Sequence, residues 1–266
     1  MGNKDLYTYI ITKSIWYLIN SWNFTADMWW FKFNNNQNIK ELLNNDKVIK
    51  KIHRILAWNI LEYTIMYFLE LKWIPYESDK SNPFRTDTGV DILILDEQNW
   101  NIPLHCKASM IKNMVWQIRN WKTIMNDLET EGWYLVFAYI KKWILDFSFS
   151  FLKLLINTNR LINFPKTKDE IYEYERLLND FLYSLEQDQT FWDNFKSILN
   201  FHNKFWLNWN IEIKGLITPE DYFKNSIFVW HNEKIPWTNF TQFFEEWSYF
   251  IRQDYNNYIK LNDLLS

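Results

Sequence analysis

Four residues in two neighbouring segments carry chemistry-bearing side chains: Asp91 in the first, and His105, Cys106 and Lys107 in the second. Residues 88–96 begin Thr-Gly-Val-Asp and continue as the apolar run Ile92-Leu93-Ile94-Leu95; residues 101–109 alternate apolar and polar. Both patterns predict strands. Asp96-Glu97-Gln98-Asn99 between them is a polar turn, so the two segments form a hairpin. Side chains alternate faces along a strand. Leu104 and Cys106 therefore share one face, and His105 and Lys107 the other. An acid opening one strand then lies close to a polar pair on its neighbour. Such a grouping suits a bound metal ion and an activated water. The competing reading is an Asp91–Lys107 salt bridge that caps the hairpin.

The pattern resembles the catalytic core of the PD-(D/E)xK nuclease superfamily, which includes most type II restriction endonucleases. That pattern is an acid at the start of one strand, then an acid, any residue and a lysine on the next. Asp91 matches the first acid and Lys107 the lysine, while His105 stands where the second acid belongs. The resemblance covers roughly Lys47 to Ile140. It implies that Asp91 and the backbone carbonyl of Cys106 bind Mg²⁺, with Mn²⁺ as a substitute. Lys107 would orient or deprotonate the attacking water and offset charge on the phosphate. Hard oxygen ligands suit magnesium, and His105 is a poorer ligand for it than a carboxylate. His105 would then hold a water or the phosphate, with Glu62 supplying the second carboxylate to the metal.

The elements that must position these residues are legible around them. Asp46 to Lys72 predicts a long helix capped by Asp46, with an apolar stripe of Val48, Ile52, Ile55, Leu56, Ile60, Tyr63, Tyr67 and Leu71. Glu62 lies within its apolar middle, where an unpaired carboxylate is costly. It either points at the metal site, as in the resembled family, or is an ordinary helix acid. Lys47, Lys50, Lys51 and Arg54 crowd the start of the helix, where cations oppose its dipole. They are DNA-phosphate contacts or a solvated face.

Trp73 to Thr88, with Pro75, Pro83, Arg85 and Asp87, reads as a loop. Ser109 caps a second helix to about Thr130, with Met114, Ile118, Trp121, Met125 and Leu128 inside. Gln117 and Trp121 on that helix are similar to a Gln-then-Tyr signature of RecB-like nucleases, which makes Gln117 a further candidate DNA contact. Gly132 ends the helix, and Trp133 to Ile140 is a buried strand.

Outside this core, Asp5 to Asn23 has helical spacing through Leu6, Ile10, Ile15, Leu18 and Ile19. Trp29-Trp30-Phe31 forms an aromatic knot, and Asn34 to Asn38 a polar loop. Thr167-Lys168-Asp169-Glu170 is a capping box that opens a helix to about Gln187, and another helix runs from Phe191 to about Asn208. Asn210 to Ile217 and Ile227 to Trp230 read as strands. Thr218-Pro219 starts a short helix, and Thr238 begins a long C-terminal helix.

Other chemistries lack their parts. Only four glycines occur, with no phosphate-cradling loop. His53, His105, His202 and His231 show no zinc spacing, and Ser109 lies in no nucleophile elbow. The single cysteine, Cys106, excludes an intrachain disulfide and a cysteine-rich zinc site, and suits a reducing compartment. A net charge of −3 weighs against a uniformly basic nucleic-acid surface but not against a local basic cleft. No signal peptide or membrane span is expected, because the most apolar stretch, Trp133 to Ile140, is too short. The 17 tryptophans are far above ordinary usage and serve either as filler or, in part, as base-stacking platforms.

The sequence thus predicts an α/β (α+β) protein with a restriction-endonuclease-like central mixed sheet flanked by helices and a mainly helical C-terminal elaboration. It predicts a single elaborated nuclease domain over 1–266. Residues 47–140 are its catalytic core, 1–46 an N-terminal addition of helix and loop, and 141–266 a helical part for dimerisation or DNA recognition. The implied activity is cytoplasmic, Mg²⁺-dependent, sequence-specific cleavage of double-stranded DNA by a homodimer, with a cognate DNA methyltransferase encoded nearby. The alternatives are a RecB-like or resolvase-like nuclease that reads DNA structure, and a non-catalytic nucleic-acid or protein interaction module in which His105 marks a degenerate site.

Overall fold

A computed structural model describes residues 10–15, 17–18, 44–78, 90–95, 101–109, 115–119, 134–157, 211–239, 241–242 and 248–252, with scattered residues of 180–194 and 255–263. The chain divides into two compact units. The first comprises residues 1–68, 79–87 and 141–210, and the second residues 69–78, 88–140 and 211–266.

In the described residues the first unit is helical. Residues 10–15 and 17–18 are helical, α1 runs Asp46–Leu71, and α2 runs Lys142–Asn157. Along α2, Ile144, Phe147, Phe151 and Leu155 are buried at helical spacing. Ile10, Ile11, Ile15 and Leu18 bury a matching face, as do Val48, Ile52, Leu56 and Ile60 of α1. Buried hydroxyls are satisfied within their own helices: Ser14 Oγ donates to the Ile10 carbonyl and Ser148 Oγ to that of Ile144, each at 2.7 Å. The cap of α1 differs from expectation. Asn45, not Asp46, is the N-cap, because its Oδ1 accepts the Lys47 N–H at 2.9 Å. At the other end Leu71 leaves the stripe and is 61% exposed. The helix closes through Trp73 N–H to Glu70 O and Ile74 N–H to Leu69 O, with Trp73 at φ 59° where glycine is usual.

The second unit holds two sheets. The larger is a mixed five-stranded sheet of β1 (Tyr76–Ser78), β2 (Ile92–Ile94), β3 (Ile102–Ser109), β5 (Tyr134–Tyr139) and β6 (Glu212–Ile217), in the order β1-β2-β3-β5-β6. The expected hairpin is its β2–β3 pair. The β3–β5 pair is parallel and the others are antiparallel. β1 is an addition, since Trp73 to Thr88 reads as loop from sequence. Leu135 to Ala138 are all buried, as expected for a central strand with both faces covered. Between β5 and β6 the register jumps from Phe137↔Gly215 to Ala138↔Ile213. Gly215 sits there at φ 142°, and a Cβ on it would lie 2.6 Å from the Tyr258 Cβ and 2.9 Å from the Ile259 carbonyl. Only glycine permits that approach, which lets Leu216 and Ile259 exchange two backbone hydrogen bonds.

The smaller sheet, β4 (Val115–Arg119), β8 (Ser248–Arg252) and β7 (Ile227–Val229), overturns two helical expectations. Val115 to Arg119 is a strand, not part of a helix from Ser109 to Thr130, and Ser248 to Arg252 is a strand, not part of a C-terminal helix from Thr238. The two pair with each other antiparallel along their full length. Short runs such as Val-Trp-Gln-Ile-Arg and Ser-Tyr-Phe-Ile-Arg fit either period, and the ladder between them decides. Among the elements described within residues 141–266, α2 fits the mainly helical character expected, β6 and β7 fall on the two stretches read as strands, and β8 alone departs from the reading.

The short helix α3, Pro219–Asn225, forms as expected: Thr218 Oγ1 accepts the Asp221 N–H at 3.1 Å and proline takes the first position. Its Tyr222 stacks on Phe137, joining a core of Leu135, Ile217 and Ile251 that ties the smaller sheet to the larger. The class is therefore α/β with a mixed central sheet. Among the described residues no helix is long and apolar enough to cross a membrane. The expected capping box at Thr167, Trp29 to Phe31, Asn34 to Asn38 and the turn at Asp96 to Asn99 lie outside the described residues.

Candidate functional site

The register of the β2–β3 hairpin brings the site together. Ile92 pairs with Leu104, so one step beyond the ladder Asp91 stands opposite His105, and directly opposed residues share a face. Along β3, Leu104 and Cys106 are buried, whereas His105 and Lys107 remain half-buried on the other face. β1 anchors the acid from behind. Ser78, 8% exposed, pairs with Ile92 and donates its hydroxyl to the Asp91 carbonyl at 2.9 Å.

Asp91 folds its carboxylate back into the sheet. The Cys106 N–H donates to Oδ2 at 2.6 Å, where the β2 backbone has run out of acceptors. His105 Nδ1 lies 3.6 Å from the same oxygen, beyond a normal hydrogen bond but within ion-pair reach when the ring is protonated. Both contacts use Oδ2, and Oδ1 receives no hydrogen bond from a described residue. Burial works to raise the carboxyl pKa. The His105 side chain, the Lys107 charge and the Cys106 amide outweigh it, and the net result lies below the usual carboxylate value. Asp91 is therefore a carboxylate at neutral pH, with 26% of its side chain still exposed.

A divalent cation is chemically compatible with this donor set. In a strand the N–H and C=O of one residue point to the same edge, so the Cys106 carbonyl faces the edge on which Asp91 lies. Asp91 Oδ1 and this carbonyl are two hard oxygens, and Mg²⁺ is commonly held by one or two carboxylates with water and phosphate completing its shell. Among the described residues no three His, Cys, Asp or Glu side chains gather as a self-sufficient metal cage.

No family model, curated protein or solved structure matches the chain.

The remaining candidates lie on other elements. Glu62, on the part of α1 that belongs to the first unit, is 5% exposed and so is not an exposed helix acid. Lys47, Lys50 and Arg54 are exposed on the same helix, with Lys51 half-buried. Gln117 lies on β4, paired with β8, and not on the helix expected there. Arg85, Asp87 and Trp121 lie outside the described residues. Sequence reasoning missed Ser78. A polar residue next to a short run such as Tyr-Glu-Ser has no periodicity to announce a strand, and only the pairing with β2 reveals its role.

Proposed function

We propose that the protein is a Mg²⁺-dependent nuclease acting on double-stranded DNA, with Asp91, Lys107 and His105 at its active site. The observation that carries this reading is the Asp91 carboxylate. It is held ionised on the same strand face as Lys107, and one of its oxygens is committed to the fold while the other is left for a ligand. Asp91 and the Cys106 carbonyl would hold a divalent cation, which would supply the charge that polarises a phosphodiester. Lys107 orients the attacking water and offsets charge on the phosphate. Water adds to phosphorus, the bond to the leaving sugar oxygen breaks, and that oxygen leaves with a proton. His105 steadies the Asp91 carboxylate and meets the water or the phosphate. Sequence-specific cutting by a two-fold homodimer, as in type II restriction enzymes, completes the proposal, since two related sites match the two antiparallel strands of a duplex.

The test is incubation of plasmid DNA with Mg²⁺ or Mn²⁺. Wild-type protein cleaves, with a fixed fragment ladder if it reads sequence. Asp91→Asn and Lys107→Ala cut at least about a hundredfold more slowly while retaining fold and DNA binding. Full activity in either variant sinks the assignment. Sedimentation with duplex in Ca²⁺ measures the dimer, and a complex of one monomer per duplex that only nicks would refute it. One observation favours a second reading. Because Oδ2 completes the sheet ladder, Asp91 also has a purely structural use, and absence of cleavage in every metal would point to a non-catalytic binding module.

A further inference from the structure

The smaller sheet and the loop that follows β7 expose several large apolar side chains: Ile227, Phe228, Trp230 and Trp237. Trp237 is the most unusual. The Thr238 N–H bonds to the Ile235 carbonyl at 3.3 Å across Ile235-Pro236-Trp237-Thr238, with proline second and Trp237 third at φ 61°. That is the pattern of a type II turn, whose third position favours glycine. A bulky residue in the left-handed region is a true outlier, and such outliers gather at ligand-binding positions. Here the strain presents an indole, 39% exposed, at the edge of a concavity of about 460 Å³ lined by residues 234–239. This is within the range of small-ligand sites, about 300–1,000 Å³.

One cation lies over the ring, and a second lines the same concavity. The Arg252 guanidinium sits 5.8 Å from the Trp237 ring centroid, over one face. Lys234 lines the concavity and makes no ion pair with a described residue. Its acidic neighbour Glu233 is turned away, its carboxylate accepting the Trp230 N–H at 2.9 Å. The loop is also rigid. Asn232 and Gln242 are joined by a backbone hydrogen bond, Lys234 bridges to Thr241, and the buried Gln242 side chain bonds Ser248 of β8. Ile235 packs on Val229 and Phe250 beneath.

An aromatic face held in place beside one cation, with a second cation lining the same concavity, suits a ligand that is flat, π-rich and anionic. We propose that the Ile235–Thr238 turn binds an unpaired nucleotide of a nucleic-acid strand. Its base stacks on the Trp237 face opposite Arg252, and its phosphate is met by Lys234 and the Arg252 charge. The choice of nucleic acid rests on the proposed function, but the site needs neither the metal nor cleavage.

The experiment is fluorescence anisotropy of a labelled single-stranded oligothymidylate, in EDTA, with the full chain. Trp237→Ala should weaken binding by roughly five- to 150-fold, and Trp237→Phe should restore much of it. An abasic strand of the same length should bind wild type and Trp237→Ala alike. Lys234→Ala should lower the slope of log affinity against log salt by about 0.7. Trp237→Gly, which relieves the turn, should raise the thermal midpoint and still lose binding, so a folding defect cannot imitate the result. Equal affinity of wild type and Trp237→Ala for oligothymidylate would overturn the site. Failure of wild type to bind any single strand would also overturn it and would turn this surface over to a protein partner. In both cases metal-dependent plasmid cleavage, lost in Asp91→Asn, would leave the nuclease reading standing.

Discussion

The backbone N–H of Cys106 donates to Oδ2 of Asp91 at 2.6 Å, so a side chain takes the place of a backbone acceptor at the end of the β2–β3 ladder. This single bond joins fold and candidate chemistry. It fixes the carboxylate beside His105 and Lys107, and it draws the acid into the sheet at the cost of solvation. A charge-assisted hydrogen bond of this kind is stronger than a neutral one.

Asp91 should therefore contribute to stability in a defined pH window. Its folded-state pKa lies below the ordinary value of 3.8. The contribution is present above that ordinary value and is lost as pH falls through the depressed one. Asp91→Asn keeps an oxygen acceptor but loses the charge, and should cost about 1 kcal/mol at neutral pH. Urea titrations of both proteins at pH 7 and below pH 3 check this, and the gap between them should close in acid.

Replacing His105 distinguishes its two possible roles. His105→Glu puts an acid where the resembled nuclease pattern has one, on the face shared with Asp91, and under the proposed function it should retain Mg²⁺-dependent cleavage with tighter metal binding. Loss of all activity in His105→Glu, together with equal damage from Glu62→Gln, would assign His105 to water or phosphate instead. Unchanged rates in both His105→Ala and Glu62→Gln would remove both residues from the site.

Gly215→Ala should destabilise the second unit by about 2–3 kcal/mol. The methyl would meet the Ile259 carbonyl and the Tyr258 Cβ, and φ 142° is a region open essentially to glycine. Thermal denaturation measures the loss. Amide exchange should show it first at Leu216 and Ile259, which exchange hydrogen bonds across this contact.

His53 should make the first unit acid-sensitive at mild pH. Its Nε2 is buried with no hydrogen-bond partner among the described residues, 3.9 Å from Asp146 Oδ1, and its ring meets Phe149 edge-on. Burial lowers its pKa below 6.5, outweighing the opposing pull of Asp146, with Lys142 adding to the depression. The unfolded chain thus takes up this proton first. The stability tied to neutral His53 is complete above pH 6.5 and is lost as pH falls through the folded value. His53→Leu should flatten the pH dependence of the thermal midpoint between pH 7 and 5, and an unchanged slope would remove His53 as its source.

Much of the candidate site was legible in the chain itself. The run after Asp91, the polar turn and the alternation from Ile102 to Ser109 determine a hairpin, and alternation alone puts His105 and Lys107 on one face. The long stripe of α1 and the Thr218-Pro219 start of α3 were equally plain. In each case the cause is local: side-chain period, turn chemistry and caps act over one or two turns of chain.

Tertiary structure decided what local pattern leaves degenerate. Val115 to Arg119 and Ser248 to Arg252 are too short to declare a period, and each becomes a strand because the other is there to satisfy its backbone. Ser78 supports Asp91 only because β1 lies against β2. Which Asp91 oxygen accepts the Cys106 N–H follows from where the β2 ladder ends. Trp237 takes a conformation that glycine would favour because the loop around it is pinned at Lys234, Gln242 and Ile235. Propensities act over a few residues, whereas these features depend on contacts between segments far apart in the chain. Their free energy exists only once the sheets have assembled.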